Sequence, residues 1–184
     1  KYENGSYKDL TGKVPFKAVP LNAGTLAAKD KKAVYDISSK VASLKRVING
    51  TNAYRNELVL KMRYIKAAVA ATPALPLDIA PEMVAIEKRL IAVNRELNGD
   101  ATLSRREFET LPSISQRIET ITGAIWNSTS TPPAAYLQSL AIAEKKFQPV
   151  YREVKAISED IKKLEDRLEK AGAPYTPGRL PEYK

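Results

Sequence analysis

The chain has no cysteine and no histidine among its 184 residues. That removes cysteine nucleophiles, Cys/His zinc sites, Ser-His-Asp triads and histidine general bases. It also removes redox evidence about compartment; a cysteine-free chain is compatible with a bacterial envelope without demonstrating one. Aromatics are few, at 7%, with a single Trp. No apolar run approaches the roughly 18 residues needed to span a bilayer. There is no signal peptide and no initiator Met, so Lys1 is expected to mark a processed chain or an excised fragment.

What remains is 43% apolar and dominated by Leu, Ile, Val and Ala, which suits helix packing. The length allows one domain, or one plus an appendage. The net charge is +9 and unevenly spread. Residues 1–66 hold 14 Lys/Arg against 5 Asp/Glu, whereas residues 67–184 hold 16 of each. Such an excess suits an anionic partner such as nucleic acid, a lipid headgroup or an acidic glycan. The plainer reading is a solvated helix face. The cations are mostly scattered Lys, with no Arg cluster and no aromatic platform for bases, so nucleic acid is not the expected partner.

The strongest pattern lies in residues 136–168. Tyr136, Leu140, Ala143, Phe147, Val150, Val154, Ile157, Ile161, Leu164 and Leu168 alternate spacings of 4 and 3 without a miss. This is a heptad seam, and charged residues fill the positions between. A second seam runs through Val34, Ile37, Val41, Leu44, Ile48, Leu58, Met62, Ile65 and Val69, interrupted by polar Thr51 and Arg55. Met83, Ile86, Leu90, Val93 and Leu97 form a third, and Ile114, Ile118, Ile121 and Ile125 a fourth, which Trp126 is expected to close as a core plug; the alternative makes Trp126 a ligand platform and, with Arg105, Arg106 and Glu107, a candidate interaction residue.

Punctuation sets the boundaries. Residues 1–24 are rich in turn signals and read as an extended lead-in from a preceding domain. Val14 to Leu21 suits an edge strand, since Pro15 and Pro20 cannot donate to a ladder. Helices are expected over 26–71 (N-cap Thr25), 81–98 (ending at Asn98-Gly99), 113–127 (a Ser113/Gln116 capping box) and 132–171 (N-cap Thr131, then Pro132). Residues 25–171 thus form the helical body, and 172–184 a Pro-rich tail. The expected fold is all-α. It is an antiparallel up-down-up-down four-helix bundle whose two long helices extend as a two-helix coiled-coil stalk, with both chain ends at its base. Arg55 and Pro149 would mark the level where four helices become two.

Few residues offer chemistry. Asp100, Arg105, Arg106, Glu107 and Glu109 crowd one loop, where paired carboxylates near Arg could do acid/base work. The plainer reading is that Arg105 and Arg106 pair with acids or cap helix ends. Asn4, Asn49 and Asn127 match the glycosylation acceptor pattern, which is weak and is read as turn chemistry. The tail, with candidate interaction residues Tyr175 and Arg179, suits a polyproline-type ligand or, better, a strap packing Tyr175 and Leu180 onto the body. No catalytic residue, cofactor or metal is expected.

Leu97-Asn-Gly-Asp-Ala-Thr-Leu-Ser-Arg-Arg106, Pro112-Ser-Ile114 and Ala171-Gly-Ala-Pro-Tyr-Thr-Pro-Gly-Arg-Leu-Pro-Glu182 resemble the C-terminus of large bacterial sortilin-like (vacuolar-sorting-receptor-like) proteins. These are common in Bacteroidetes, carry BNR/sialidase-type β-propeller repeats and are labelled glycosyl hydrolases. Tyr7-Lys-Asp-Leu-Thr-Gly12 and Leu26-Ala-Ala-Lys-Asp-Lys-Lys32 are similar to the start of the same region. Tyr175 and Tyr183 stand where many relatives carry Trp. The resemblance implies an exported protein, in the periplasm or at the outer surface. This chain would be a non-catalytic structural or interaction module, with the preceding propellers, or another envelope protein, as partner. The alternatives are an accessory domain that completes a glycan-processing site of the parent enzyme through the 105–109 loop, or a basic helical binder of anionic polymers.

Overall fold

The computed structural model describes residues 1–19 and 28–183. The expectations placed on Pro20, Leu21, Gly24, Thr25 and Leu26 lie outside the described residues. Tyr2–Glu3 (β1) and Ser6–Tyr7 (β2) form a small antiparallel hairpin. Asn4 and Gly5 turn it, both at positive φ, the conformation a two-residue hairpin loop demands. Residues 14–19 form no strand, which corrects the expected edge strand there.

The body is helical: α1 (Lys31–Ala70), α2 (Ile79–Asn98), the single turn α3 (Ala101–Ser104), α4 (Ile114–Asn127) and α5 (Ala134–Lys170). α1 starts five residues later than expected. Its N-cap is Asp30, whose carboxylate accepts from the Ala33 amide at 2.9 Å. α5 starts two residues late because Pro132 precedes Pro133, and a residue before proline is pushed out of the helical region. Pro81 sits in the first turn of α2, where its missing N–H costs nothing. Gly99 and Gly172 end α2 and α5 at positive φ, and the capping box at Ser113 and Gln116 is formed in both directions. At Gly172 the amides of Gly172 and Ala173 return to the carbonyls of Glu169 and Leu168, closing the last turn.

The seams are the core. All nine seam residues from Leu140 to Leu168 are buried, as are Met83, Ile86, Leu90, Val93 and Leu97. Ile114, Ile118 and Ile121 are buried too, and Ile125 packs against them partly covered.

Helix directions differ from the expectation. Lys40 pairs with Glu144, Tyr54 with Ser158 and Lys61 with Glu165, each 104 residues apart. A constant offset means that α1 and α5 run parallel; antiparallel partners would close up in number along the pair. α2 opposes both: Arg55 meets Asn94 and Lys66 meets Glu87, while Arg89 meets Glu153 and Arg167 meets Glu82. α4 continues in the direction of α2. Ser115 bonds Asn98 at the junction, and Ile125 shares a cavity with Val34 and Tyr136 at the far end. α2 and α4 therefore fill, one after the other, the third position of a bundle whose other two positions are α1 and α5. The antiparallel four-helix bundle and its two-helix stalk are both corrected by this register. The reason is the α2–α4 connection: residues 99–113 do not reverse the chain, so no α2–α4 hairpin forms. On the 104 offset Pro149 lies level with residue 45, not with Arg55, so those irregularities do not mark one level. α5 runs unbroken through Pro149.

Candidate functional site

The expected site loop is the elbow between α2 and α4. Asp100 opens α3 by accepting from the Thr102 amide at 2.9 Å and its hydroxyl at 2.6 Å. Those bonds, with Arg95 at 3.1 Å, hold its carboxyl below the usual aspartate range. Asp100 is thus a structural cap. Glu107 sits at φ 57, a left-handed position that lets the chain turn out of α3. Arg105, Arg106, Glu107 and Glu109 are exposed, and among the described residues none makes an ion pair. Of the two roles expected for Arg105 and Arg106, pairing with acids is corrected, since the cation at Asp100 is Arg95, whereas Arg105 does stand as the C-terminal cap residue of α3. Asp100 and Arg105 line one cavity at the elbow with Ser104, Thr110 and Gln116; Glu107 and Glu109 are not among its lining residues.

Trp126 is 87% exposed, which corrects the core plug. At about 100° per residue it stands off the face that Ile114, Ile118, Ile121 and Ile125 turn inward. In the tail, Tyr175 and Leu180 are 60% and 87% exposed, which corrects the strap expected to bury them. The tail instead buries Ala173, Thr176 and Arg179. Arg179 donates to Thr176 Oγ1 at 3.2 Å, to the Ala173 carbonyl at 3.0 Å, and also to Glu169 and the Pro174 carbonyl. Pro177-Gly178 occupy the centre of a turn closed by the Arg179 amide on the Thr176 carbonyl at 2.9 Å. Gly178 is at φ +86, as the third residue of a type II turn requires.

The six sequence candidates therefore fall in three places. Arg105, Arg106 and Glu107 stand at the middle of the bundle, Trp126 near one pole, Tyr175 and Arg179 at the other. Trp126 lies at the level of Val34 and the tail turn at that of Lys61. The two are roughly 40 Å apart along the axis, at 1.5 Å per residue.

Polar residues overlooked in the sequence do converge. Asn98 donates to Asn52 at 3.0 Å and to Asn94 at 2.9 Å, accepts from Ser115 at 3.2 Å, and Arg55 donates to Asn94. The signal was available: Asn94 and Asn98 are one helical turn apart, as are Thr51 and Arg55. Arg89 bridges α2 to Glu153 and Asp160 of α5, both at 2.6 Å, and Arg167 bridges α5 to Asp78, the cap residue before α2, and to Glu82 of α2. Among the described residues no group of three or more acidic side chains could hold a metal ion, and no helix is long and apolar enough to cross a membrane.

Fold and surface together define only a class, the all-helical bundle. Compared with family models, with curated proteins and with solved structures, the chain matches none.

Proposed function

We propose that this chain is a non-catalytic structural and interaction module, a rigid helical rod belonging to an exported, propeller-bearing protein of the sortilin-like kind. The observation that carries this reading is the parallel course of α1 and α5. The segment before α1 joins the rod at one pole, and the tail after α5 folds at the other. With α1 at 40 residues, the poles are about 60 Å apart at 1.5 Å per residue. Such a rod separates what is attached to its ends, and cross-helix ion pairs on α1, α2 and α5 stiffen it. The preceding propellers are the proposed neighbours, on the strength of the sequence resemblance.

The test is replacement. In a propeller-bearing parent, exchanging residues 31–170 for an unrelated three-helix bundle of equal length should preserve function, whereas a bundle half as long should not. Loss of function with the equal-length exchange would overturn the spacer reading. It would favour the second one, in which the exposed, unpaired Arg105 and Arg106 complete a glycan-processing site. On that second reading Arg105→Ala with Arg106→Ala alone would abolish parent activity.

A further inference from the structure

Arg89, Arg167, Lys61 and Arg179 bridge elements, and each meets a carboxylate. Arg117 joins α4 to α5 through the Ser139 hydroxyl alone, at 3.3 Å. Arg55 likewise meets no carboxylate among the described residues. It lies between α1 and α2, and the partner to which its Nη2 donates is the neutral amide of Asn94. Its Nε is buried with no acceptor among the described residues, and burial holds the guanidinium below the ordinary arginine pKa. A partly desolvated cation without a counter-ion is costly and attracts an anion.

Arg55 forms one end of a groove of about 400 Å³. Its floor and walls are Val59, Met62, Leu90 and Ile91, with Arg63 and Glu87 towards the other end. Glu87 is already neutralised by Lys66 at 2.5 Å, and Arg63 has no ion pair among the described residues. The groove thus joins an apolar floor to two uncompensated guanidiniums. From Arg55 to Arg63 it runs roughly 12 Å along α1, at 1.5 Å per residue. Met62 and Leu90 are buried where the two helices touch, so only a slim chain reaches the floor; a docked helix would ride on the rim at Ile91, which is 54% exposed.

We infer that the α1–α2 groove binds a small anionic amphiphile, a single alkyl chain bearing a carboxylate. The chain lies along Val59, Met62, Leu90 and Ile91, and the carboxylate takes the Nε–Nη2 edge of Arg55. Fork-to-fork pairing supplies the acceptor that Nε lacks. Asn94, displaced from Nη2, keeps its bond from Asn98. Arg63 adds a second, exposed cation.

Decanoate is the probe, titrated into the full chain at physiological salt. The readout is ¹³C-methyl NMR of the two methionines, since Met62 lies in the groove and Met83 does not. Saturable shifts at Met62 with Met83 unmoved are expected. Decyltrimethylammonium should bind at least about tenfold more weakly, because a charge-assisted pair is worth about a factor of ten or more. Arg55→Met should weaken decanoate by a similar factor while the Met83 signal reports an intact fold. Arg55→Lys, which retains the charge without the fork, should fall between. Equal affinity for the anionic and cationic probes, or an unchanged affinity in both Arg55 variants, would reduce the groove to adventitious apolar binding and overturn the inference. So would no shift at Met62 below the micellar range.

Discussion

Lys61 on α1 and Glu165 on α5 are paired at 2.8 Å, and Glu165 is only 7% exposed. Its other carboxylate oxygen is buried with no partner among the described residues. The pair therefore matters most through what its loss would leave behind. Lys61→Met would strand a buried carboxylate and should destabilise the fold by about 3 kcal/mol, the low end of the range for breaking a buried pair since Lys61 is partly exposed. Adding Glu165→Leu should restore most of that loss. Chemical denaturation of the two single variants and the double variant reads the coupling.

The same pair belongs to the 104-residue offset that sets helix direction, and cross-linking checks it. The chain has no native cysteine, so each engineered pair is unique. Lys40→Cys with Glu144→Cys, and Lys61→Cys with Glu165→Cys, should both close with a short bifunctional reagent. Lys40→Cys with Glu165→Cys should not, because 21 residues along α5 displace the second thiol by about 30 Å. Efficient closure of the last pair would restore the antiparallel arrangement.

Helix identity was legible in the sequence because the seams repeat at spacings of 3 and 4 and their ends carry recognisable caps. Helix direction was not. Heptads state which face is buried and are silent about the sense of the partner. A connection of residues 99–113, punctuated like a turn, can reverse the chain or carry it forward. The tie that would have settled the question, Ser115 to Asn98, looks like ordinary capping chemistry in one dimension. Asn4-Gly5, a two-residue turn between Tyr2–Glu3 and Ser6–Tyr7, is a stronger local signal than the Val14–Leu21 alternation. At the candidate sites, proximity in sequence misled. The charged residues at 105–109 make no ion pair among the described residues, whereas Arg55 and Asn94, 39 residues apart, meet.

Acid should weaken the bundle through Asp160. The hydrogen bond from Arg89, and then that from Lys163, hold its carboxyl below the usual aspartate range. A carboxyl depressed in the folded state stabilises the fold above the unfolded aspartate pKa, and that contribution is lost as pH falls through the folded value. Melting temperature should thus decline below about pH 4, the ordinary aspartate region. Asp160→Asn should start lower at neutral pH and show a shallower acid decline. An unaltered acid limb in that variant would remove Asp160 from the explanation.

Trp126 should matter little to stability. A side chain that is 87% exposed loses almost no burial on truncation. Trp126→Ala should stay within about 0.5 kcal/mol of the parent, as surface substitutions usually do. Ile121→Ala on the same helix removes a fully buried branched side chain and should cost about 2–5 kcal/mol. Thermal melts of the two variants side by side separate an exposed ring from a core plug.

Arg179 should decide whether the tail is part of the fold. Its guanidinium is 8% exposed and joins Glu169 on α5 to the Ala173 and Pro174 carbonyls and the Thr176 hydroxyl. Glu169 in turn accepts from the Glu182 amide at 2.9 Å, so one ion pair fastens the tail at two points. Arg179→Ala leaves buried acceptors unmatched and should cost about 1–3 kcal/mol. Arg179→Lys should not rescue it, because a single ammonium cannot reproduce a planar fork that serves several acceptors. The sharper readout is local: amide exchange at Ala173 and Arg179, protected by bonds to Leu168 and Thr176, should accelerate in both variants while the α5 core at Ile157 and Ile161 stays protected. If Arg179→Lys retained slow exchange in the tail, charge alone would suffice, and the fork geometry would not be what holds residues 173–182 to the rod.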